Sequence, residues 1–237
     1  MKHLEIDACH RANLVIAMSD HDCTQIQKMA PSVAVLVIPN GVDIESLSPT
    51  TEGGQPRIIF TGWMRHLPNL DAVEWFIKDV WPLIRQNHPS VRFSIVGKGF
   101  PHALLSLARR DERIDYLGFV EDITSVVGKA WVPVVPLRIG SGTRLKLLKP
   151  MALGTPVATN TIAYEGVDAT PELHLLLGDS SQDLAGVTLK LLRDHELRRQ
   201  VANAARKLVK CKYSWLAVGK AAVASVHGTA AKEQKME

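Results

Sequence analysis

The stretch PLRIGSGTRLKLLKPMALGTPVATN, residues 136–160, decides the fold of this chain. A strand-like run ends in it, the small residues Gly140, Ser141 and Gly142 follow, and a basic helix is predicted from Thr143. Glycines at the end of a strand let a ligand approach the backbone, and the amides of the next helical turn favour negative charge. The stretch therefore predicts a strand, an anion-binding loop and a helix.

The same alternation of short apolar runs and longer amphipathic runs extends along most of the chain. Strands are predicted at 57–62, 92–97, 113–119, 131–137, 155–159 and 173–179. Helices are predicted at Asn69–Asn87, Pro101–Arg110, Asp122–Ala130, Thr143–Leu153, Ser181–Arg193 and His195–Lys212. Several strands are apolar almost throughout, as strands covered on both faces must be. The alternation predicts an α/β fold with a doubly wound parallel sheet.

The chain is predicted to divide into three segments. Residues 1–50 contain a helix, a short strand ending near Ser19, a second helix and a further strand that leads into an Asn-Gly turn. The turn-rich stretch TTEGGQP then marks the best boundary, and the alternating region occupies 51–212. Residues 213–237 begin with a helix at Trp215–His227 and end in a polar tail.

Composition excludes several classes of protein. Hydrophobic residues at 46% and charged residues at 22% are ordinary for a soluble globular chain of 237 residues. The net charge of +4 is too mild to imply a nucleic-acid partner. Cys9, Cys23 and Cys211 form no close pair, which argues against disulfides and zinc. With no apolar run near the ~20 residues of a membrane span and no signal-peptide core at the start, a cytoplasmic location is expected.

Cations gather around the glycine loop. Arg138, Arg144 and Lys146 bring three positive charges to one neighbourhood, which suits a diphosphate. A tight strand-to-helix turn with solvated cations would explain the same residues. The loop is not a Walker motif, because the spacing G-x-x-x-x-G-K-[ST] is absent.

Two other glycine turns follow predicted strands. In FTGWMRHLPN, residues 60–69, the strand ends at Gly62, and Arg65 either reaches a phosphate or is an exposed loop cation. VGKGFPH, residues 96–102, is close to a dinucleotide fingerprint but has His102 where the third glycine belongs. A plain strand-to-helix turn explains this second stretch equally well.

Other polar and aromatic residues are expected to be mainly structural. Asp122 and Asn69 stand where helix N-caps are expected. Glu165 could meet a ligand hydroxyl or lie solvated in its loop. The tryptophans on apolar faces are expected in the core: Trp75, Trp81 and Trp131.

Taken together, these segments resemble the family 4 (group 1) glycosyltransferases, which are retaining enzymes of the GT-B fold. VIPNGVDIESLSP resembles the hinge strand into the second domain of the family, and IIFTGWMRHLPNLDAVEWF resembles the opening strand, loop and helix of that domain. RFSIVGKGFP and IDYLGFVEDITSVVGKA match the next two units. VPLRIGSGTRLKLLKPMALGTPVATNTIAYEGV matches the donor-binding core, and YSW the closing helix.

The resemblance implies a site for a nucleotide-diphosphate sugar as donor substrate, with no cofactor and no metal. It places Gly62 under the nucleotide and Phe119 and Val120 beside the base. The loop at Gly140–Thr143 and Lys146 would hold the diphosphate. The implied acceptor is a glycan or a lipid-linked sugar, as in polysaccharide biosynthesis, and such an acceptor could bring the protein to the inner face of the membrane. No residue is identified as catalytic.

Two departures from the family are visible. Only the last helix-strand-helix piece of the first, acceptor-binding domain is recognised, in residues 1–30. The family pattern K-[IL]-L-E-A-M-A is replaced by KLLKPMA, so that Lys149 stands where the resemblance implies a glutamate on the ribose hydroxyls. Pro150 follows it, and an interior proline predicts a kink or an early helix end costing roughly 3 kcal/mol.

Three functions follow from these observations. The first is sugar transfer from a nucleotide donor, and the second is a truncated or degenerate nucleotide-sugar-binding domain without turnover. A dinucleotide-dependent oxidoreductase is the third, and the broken fingerprint disfavours it.

Overall fold

The computed structural model describes the backbone of residues 2–140 and 145–233 and the side chains of residues 3–140 and 145–225. The chain begins with a small unit. It contains α1 (Lys2–Arg11), β1 (Val15–Ala17), α2 (Asp20–Met29) and β2 (Val35–Val37). β1 and β2 pair in parallel, as expected for two strands joined by a helix.

The larger unit alternates strand and helix. Its first half contains β3 (Arg57–Thr61), α3 (Leu67–Trp75), α4 (Trp81–Asn87), β4 (Arg92–Val96), α5 (His102–Ala108) and β5 (Ile114–Gly118). Its second half contains α6 (Ile123–Gly128), β6 (Val132–Val135), α7 (Leu145–Ala152), β7 (Ala158–Thr159), α8 (Thr161–Tyr164), β8 (Leu176–Leu177) and α9 (Ser181–Arg193). The helices α10 (His195–Leu208) and α11 (Trp215–Glu233) follow. A π-helical turn at Phe76–Val80 joins α3 to α4. A second π-helical turn, at Val209–Tyr213, continues α10.

The sheet of the larger unit confirms the predicted fold class. Its six strands lie in the order β5-β4-β3-β6-β7-β8, and every neighbouring pair is parallel. From β3 the chain adds β4 and β5 on one side of the sheet. It then crosses back and adds β6, β7 and β8 on the other side of β3. The reversal falls between β3 and β6, which is where open α/β sheets bind ligands.

The core confirms that the strands are covered on both faces. All four residues of β6 are buried, and Phe60, Phe76, Trp81 and Phe93 are almost inaccessible to solvent. The Phe93 ring lies 4.6 Å from that of Phe76 and 5.9 Å from that of Trp81, between ring centroids. α4 packs against α9, and α7 packs against α10 and β6.

Most predicted elements are confirmed to within a few residues, and several details differ. α8 was not predicted, because four residues carry no helical periodicity. α11 runs through Glu233, so the stretch after His227 begins as helix rather than as a frayed tail. Trp75 and Trp81 are buried as expected, whereas Trp131 is half-buried and its indole N–H donates to the Gly53 carbonyl at 2.5 Å.

The two helix-cap predictions have opposite outcomes. Asp122 caps α6, and its carboxylate accepts a hydrogen bond from the Ser125 amide at 3.0 Å. The prediction for Asn69 was wrong. α3 begins two residues earlier, at Leu67 after His66, because Pro68 fits the first turn of a helix and extends it backwards.

Pro150 does not end α7. The helix continues to Ala152, and the Leu153 amide donates to the Lys149 carbonyl at 3.1 Å. The predicted early helix end is therefore wrong. The proline lies within one turn of the end of α7, and the helix continues without the one hydrogen bond that its missing amide would have donated.

Candidate functional site

The candidate site lies at the carboxyl ends of β3 and β4, beside the reversal of the sheet. Gly62 follows β3 and its amide donates to the Val96 carbonyl at 2.9 Å. Gly97 follows β4 with a φ of 144°, and a Cβ there would lie 2.7 Å from the Gly62 carbonyl carbon and closer still to its oxygen. The two turns touch through backbone atoms, so Gly97 can only be glycine.

Lys146 brings a fixed positive charge to this edge. Its Nζ would lie 2.6 Å from a Cβ built on Gly62, and it donates to the Oδ1 of Asn69. The same Nζ stands 4.4 Å from the centroid of the Phe60 ring, within the range of a cation–π contact. The hydrogen bond to Asn69 and the Phe60 ring thus help to hold Lys146 over the end of β3.

Asn69 orients this lysine from a buried position in the first turn of α3. Its Nδ2 donates to the Trp63 carbonyl at 2.9 Å, and this bond leaves Oδ1 to face Lys146. Asn69 is 5% exposed. Sequence reasoning assigned it only a capping role. A buried asparagine that binds a loop carbonyl and a distant lysine could not be recognised without the contact between α3 and α7.

A cavity of about 180 Å³ opens beside Lys146, between the sheet and the helices α6 and α7. Its described lining is apolar except for Thr61, Lys146 and Lys149, and no aspartate or glutamate belongs to it. The remaining lining residues are Ile59, Ile123, Val127, Pro133, Val134, Val135, Leu145 and Pro150. The cavity therefore offers positive charge and apolar walls to whatever enters it.

Arg138 is engaged by a carboxylate. Its Nε and Nη2 donate to the two oxygens of Asp71 at 2.9 and 2.5 Å, and its guanidinium lies 5.3 Å from the centroid of the Trp75 ring. The hydrogen bonds to Asp71 raise the pKa of Arg138 above its ordinary value. A diphosphate here would meet an arginine whose charge is already balanced, with the Nη1 donors outside that pair.

The other predicted contacts lie along the same edge. Arg65 is exposed in the loop after β3, and its Cγ would lie 2.9 Å from a Cβ on Gly99. Phe119 is 63% exposed, and the Nζ of Lys98 stands 4.0 Å over its ring. Val120 is half-buried against the core. The Lys98 contact is one that the sequence pattern did not indicate.

The structure describes the glycine loop at Gly140. Gly140 is exposed and has a φ of 116°, a conformation that favours glycine. Ser141, Gly142, Thr143 and Arg144, which are predicted to hold the diphosphate, lie outside the described residues.

A second, polar cavity of about 500 Å³ separates the small N-terminal unit from the sheet. Across it the Nδ1 of His21 lies 2.8 Å from a carboxylate oxygen of Glu165. Glu165 was predicted to meet a ligand hydroxyl or to lie solvated, and the structure places it opposite this histidine. The Tyr213 hydroxyl accepts from the Asp168 amide at 2.7 Å, and burial raises the pKa of this tyrosine.

Two features are absent from the part of the chain that the structure describes. No cluster of three or more His, Cys, Asp or Glu side chains is arranged to hold a metal ion. No described helix combines the length and the apolar character that crossing a bilayer requires.

Fold and site together define a doubly wound α/β domain with a cationic edge at the carboxyl ends of its strands. The sequence model of the "Glycosyl transferases group 1" family matches residues 55–194, more than half of the chain, and the chain belongs to this family. No curated protein sequence matches it significantly.

Solved structures confirm that the fold is that of the C-terminal domain of a GT-B glycosyltransferase. Sucrose-phosphate synthase from Thermosynechococcus elongatus superposes with a TM-score of 0.81 at 19% identity, covering 98% of this chain and 62% of that one. HepE from Anabaena, in complex with UDP and glucose, gives 0.79 at 16% identity, with 95% and 66% covered. The C-terminal domain of LpcC, a group 1 glycosyl transferase family protein from Francisella tularensis, gives 0.61 at 20% identity, with 74% and 100% covered. The chain thus spans about 62% to 66% of the first two structures.

Proposed function

We propose that this chain binds a nucleotide-diphosphate sugar at the carboxyl edge of its sheet and serves sugar transfer to a glycan or lipid-linked acceptor. The observation that carries the proposal is the position of Lys146. Its ammonium is held over Gly62, next to the reversal between β3 and β6, where a ligand can approach the backbone.

Lys146 is suited to the chemistry of the departing diphosphate. When the bond between sugar and phosphate breaks, negative charge grows on the leaving oxygens. A cation already in place stabilises that charge without reorganising during the reaction. Asn69 and Phe60 provide this preorganisation, because they hold the ammonium before any ligand arrives. We propose that lysine and loop amides neutralise the diphosphate in place of a metal ion and that the sugar is transferred with retention.

The complex of HepE with UDP and glucose supports the proposed class of donor. A glycan acceptor, a role in polysaccharide biosynthesis and a cytoplasmic position at the inner membrane face belong to the same proposal. The family and the fold support them.

A second candidate function is nucleotide-sugar binding without turnover. It is favoured by Lys149, a cation where the resemblance to the family implies a carboxylate. A transfer assay separates the two candidates. Release of sugar from UDP-, GDP- or ADP-glucose to an acceptor, by this chain alone, would rule out the second.

Calorimetric titration with UDP, GDP and ADP tests the proposal itself. Lys146→Ala should weaken binding of the preferred diphosphate by about 10- to 100-fold, the effect of losing one charge-assisted hydrogen bond. Binding of the matching nucleoside should hardly change. Lys207→Ala, at an exposed position on α10, removes the same charge away from the site and should have little effect. Equal losses for nucleoside and diphosphate would show that Lys146 is structural.

A further inference from the structure

Lys149 adds a second positive charge to the cavity beside Lys146. Lys146 and Lys149 are three residues apart on α7, so they occupy one face of the helix. Both line the cavity of about 180 Å³, which has no acidic residue among its described lining. Two ammonium groups, about one helical turn apart along α7, therefore line the same small cavity.

The two lysines differ in how they are held. Lys146 is bound to Asn69 and stands over Phe60. Lys149 is half-buried, and it makes no hydrogen bond or ion pair with another residue that the structure describes. Charge that is partly removed from water is unfavourable unless it is paired. An anionic ligand would supply the missing partner.

The backbone around Lys149 is regular. α7 continues past it to Ala152, and Pro150 is buried as part of the cavity wall. The Lys149 carbonyl still accepts a hydrogen bond, from the Leu153 amide at 3.1 Å. The Lys-Pro pair is therefore accommodated by the helix, and Lys149 keeps the same face as Lys146.

We infer that the site selects a nucleotide with a second anionic group, a carboxylate or a phosphate, about one helical turn from the diphosphate. This inference rests on the proposed function, in which Lys146 binds the diphosphate. Lys149 would then bind the second anion by a charge-assisted hydrogen bond. The second anion can be a phosphate on the ribose or a carboxylate on the donor sugar, since both lie within that distance of the diphosphate.

Pairs of ligands that differ in one charge test the inference and separate the two sources. The ribose arm compares ADP and GDP with their 3′-phosphorylated forms. The sugar arm compares UDP-glucose with UDP-glucuronate and GDP-mannose with GDP-mannuronate. Kd values are measured by calorimetry at physiological salt on the full chain, on Lys149→Gln and on Lys207→Gln.

In at least one arm the ligand with the second anionic group should bind about tenfold tighter or more, as expected for one charge-assisted bond. Lys149→Gln should reduce the ratio of the two Kd values to about one. Lys207→Gln, with the same change in net charge, should keep it. Two outcomes would overturn the inference and leave the proposed function standing. One is that the ligands without the second anion bind and neither arm shows a preference, and the other is a preference that survives in Lys149→Gln. No binding of any of these nucleotides would overturn both.

Discussion

At the scale of single residues, two kinds of constraint shape the ligand edge. Gly97 is fixed by space and by its φ of 144°, because it faces the Gly62 backbone. Lys146 is fixed by partners, because Asn69 and Phe60 hold its ammonium. Glycine at position 97 keeps a side chain away from the end of β3. Lys146 brings one positive charge to the same place. Both are needed for a backbone that an anion can approach.

Three glycine-to-alanine substitutions distinguish the cost of steric overlap from the cost of an unfavourable φ. Gly97→Ala combines overlap with Gly62 and an unfavourable φ, and we expect it to lower the free energy of unfolding by more than about 3 kcal/mol. Gly118→Ala has a φ of 67° but no atom within 4 Å, so it should cost only about 1–2 kcal/mol. Gly54→Ala, with open space around it, should be nearly neutral. Urea denaturation measures all three, and similar values for Gly97→Ala and Gly118→Ala would contradict the overlap.

At the scale of elements, a buried carboxylate joins α4 to the turn before β5. Asp111 accepts hydrogen bonds from the Trp81 indole and the Arg85 guanidinium, both at 2.9 Å, and from the Arg113 amide at 3.0 Å. Burial by itself would raise the pKa of Asp111. The bonds from Arg113, Trp81 and Arg85 outweigh burial and hold that pKa well below its usual range. The charged form is therefore the one that the fold stabilises.

This carboxylate makes stability depend on pH with a defined sign. Its pKa is lower in the folded chain than the ordinary value of about 4 in the unfolded chain, so its contribution is complete above pH 4 and is lost as the pH falls towards the folded value. Asp111→Asn should cost about 1.5–3 kcal/mol at pH 7. The difference from the unmodified chain should shrink at pH 3. Denaturation curves at the two pH values check this, and a difference that grows in acid would refute it.

At the scale of the whole molecule, one arginine joins distant parts of the chain. Arg198 is 4% exposed, and its guanidinium donates to both oxygens of Glu52 at 2.8 and 2.7 Å. It also donates to the Leu191 carbonyl at 2.7 Å and lies 4.2 Å from the centroid of the Trp131 ring. The turn-rich segment before β3 is thereby tied to α9 and α10. The chain at the predicted boundary near residue 51 is thus bound to α10 through the pair of Glu52 and Arg198.

A double-mutant cycle measures this anchor. Arg198→Met should lower the free energy of unfolding by about 3–5 kcal/mol, because it removes the two hydrogen bonds to Glu52 and the one to the Leu191 carbonyl. Glu52→Gln should cost less, since the amide oxygen still accepts one bond and the arginine keeps the Leu191 carbonyl. The two effects should be non-additive by at least about 1 kcal/mol in the double variant. Additive effects would mean that the pair is not coupled.

The sequence by itself determined the fold class of this protein and most of its elements. Apolar runs of strand length and the helical spacing between them follow from local chemistry, and strict alternation allows few topologies. It determined the family as well, because several motifs along the chain agree with the match at 55–194. The cap at Asp122 could be predicted for the same reason, since a cap depends only on residues close in sequence.

Only the tertiary structure decided which side chains meet. Asn69 and Lys146 are 77 positions apart, and Arg138 and Asp71 are 67 apart. From the sequence, Arg138 was expected to offer its charge to a diphosphate. Its carboxylate partner, Asp71, lies on another element, so the pairing could not be predicted. The fate of Pro150 also depended on its place near the end of a packed helix. Contacts between distant elements depend on how the sheet and helices pack, and local patterns carry no information on them.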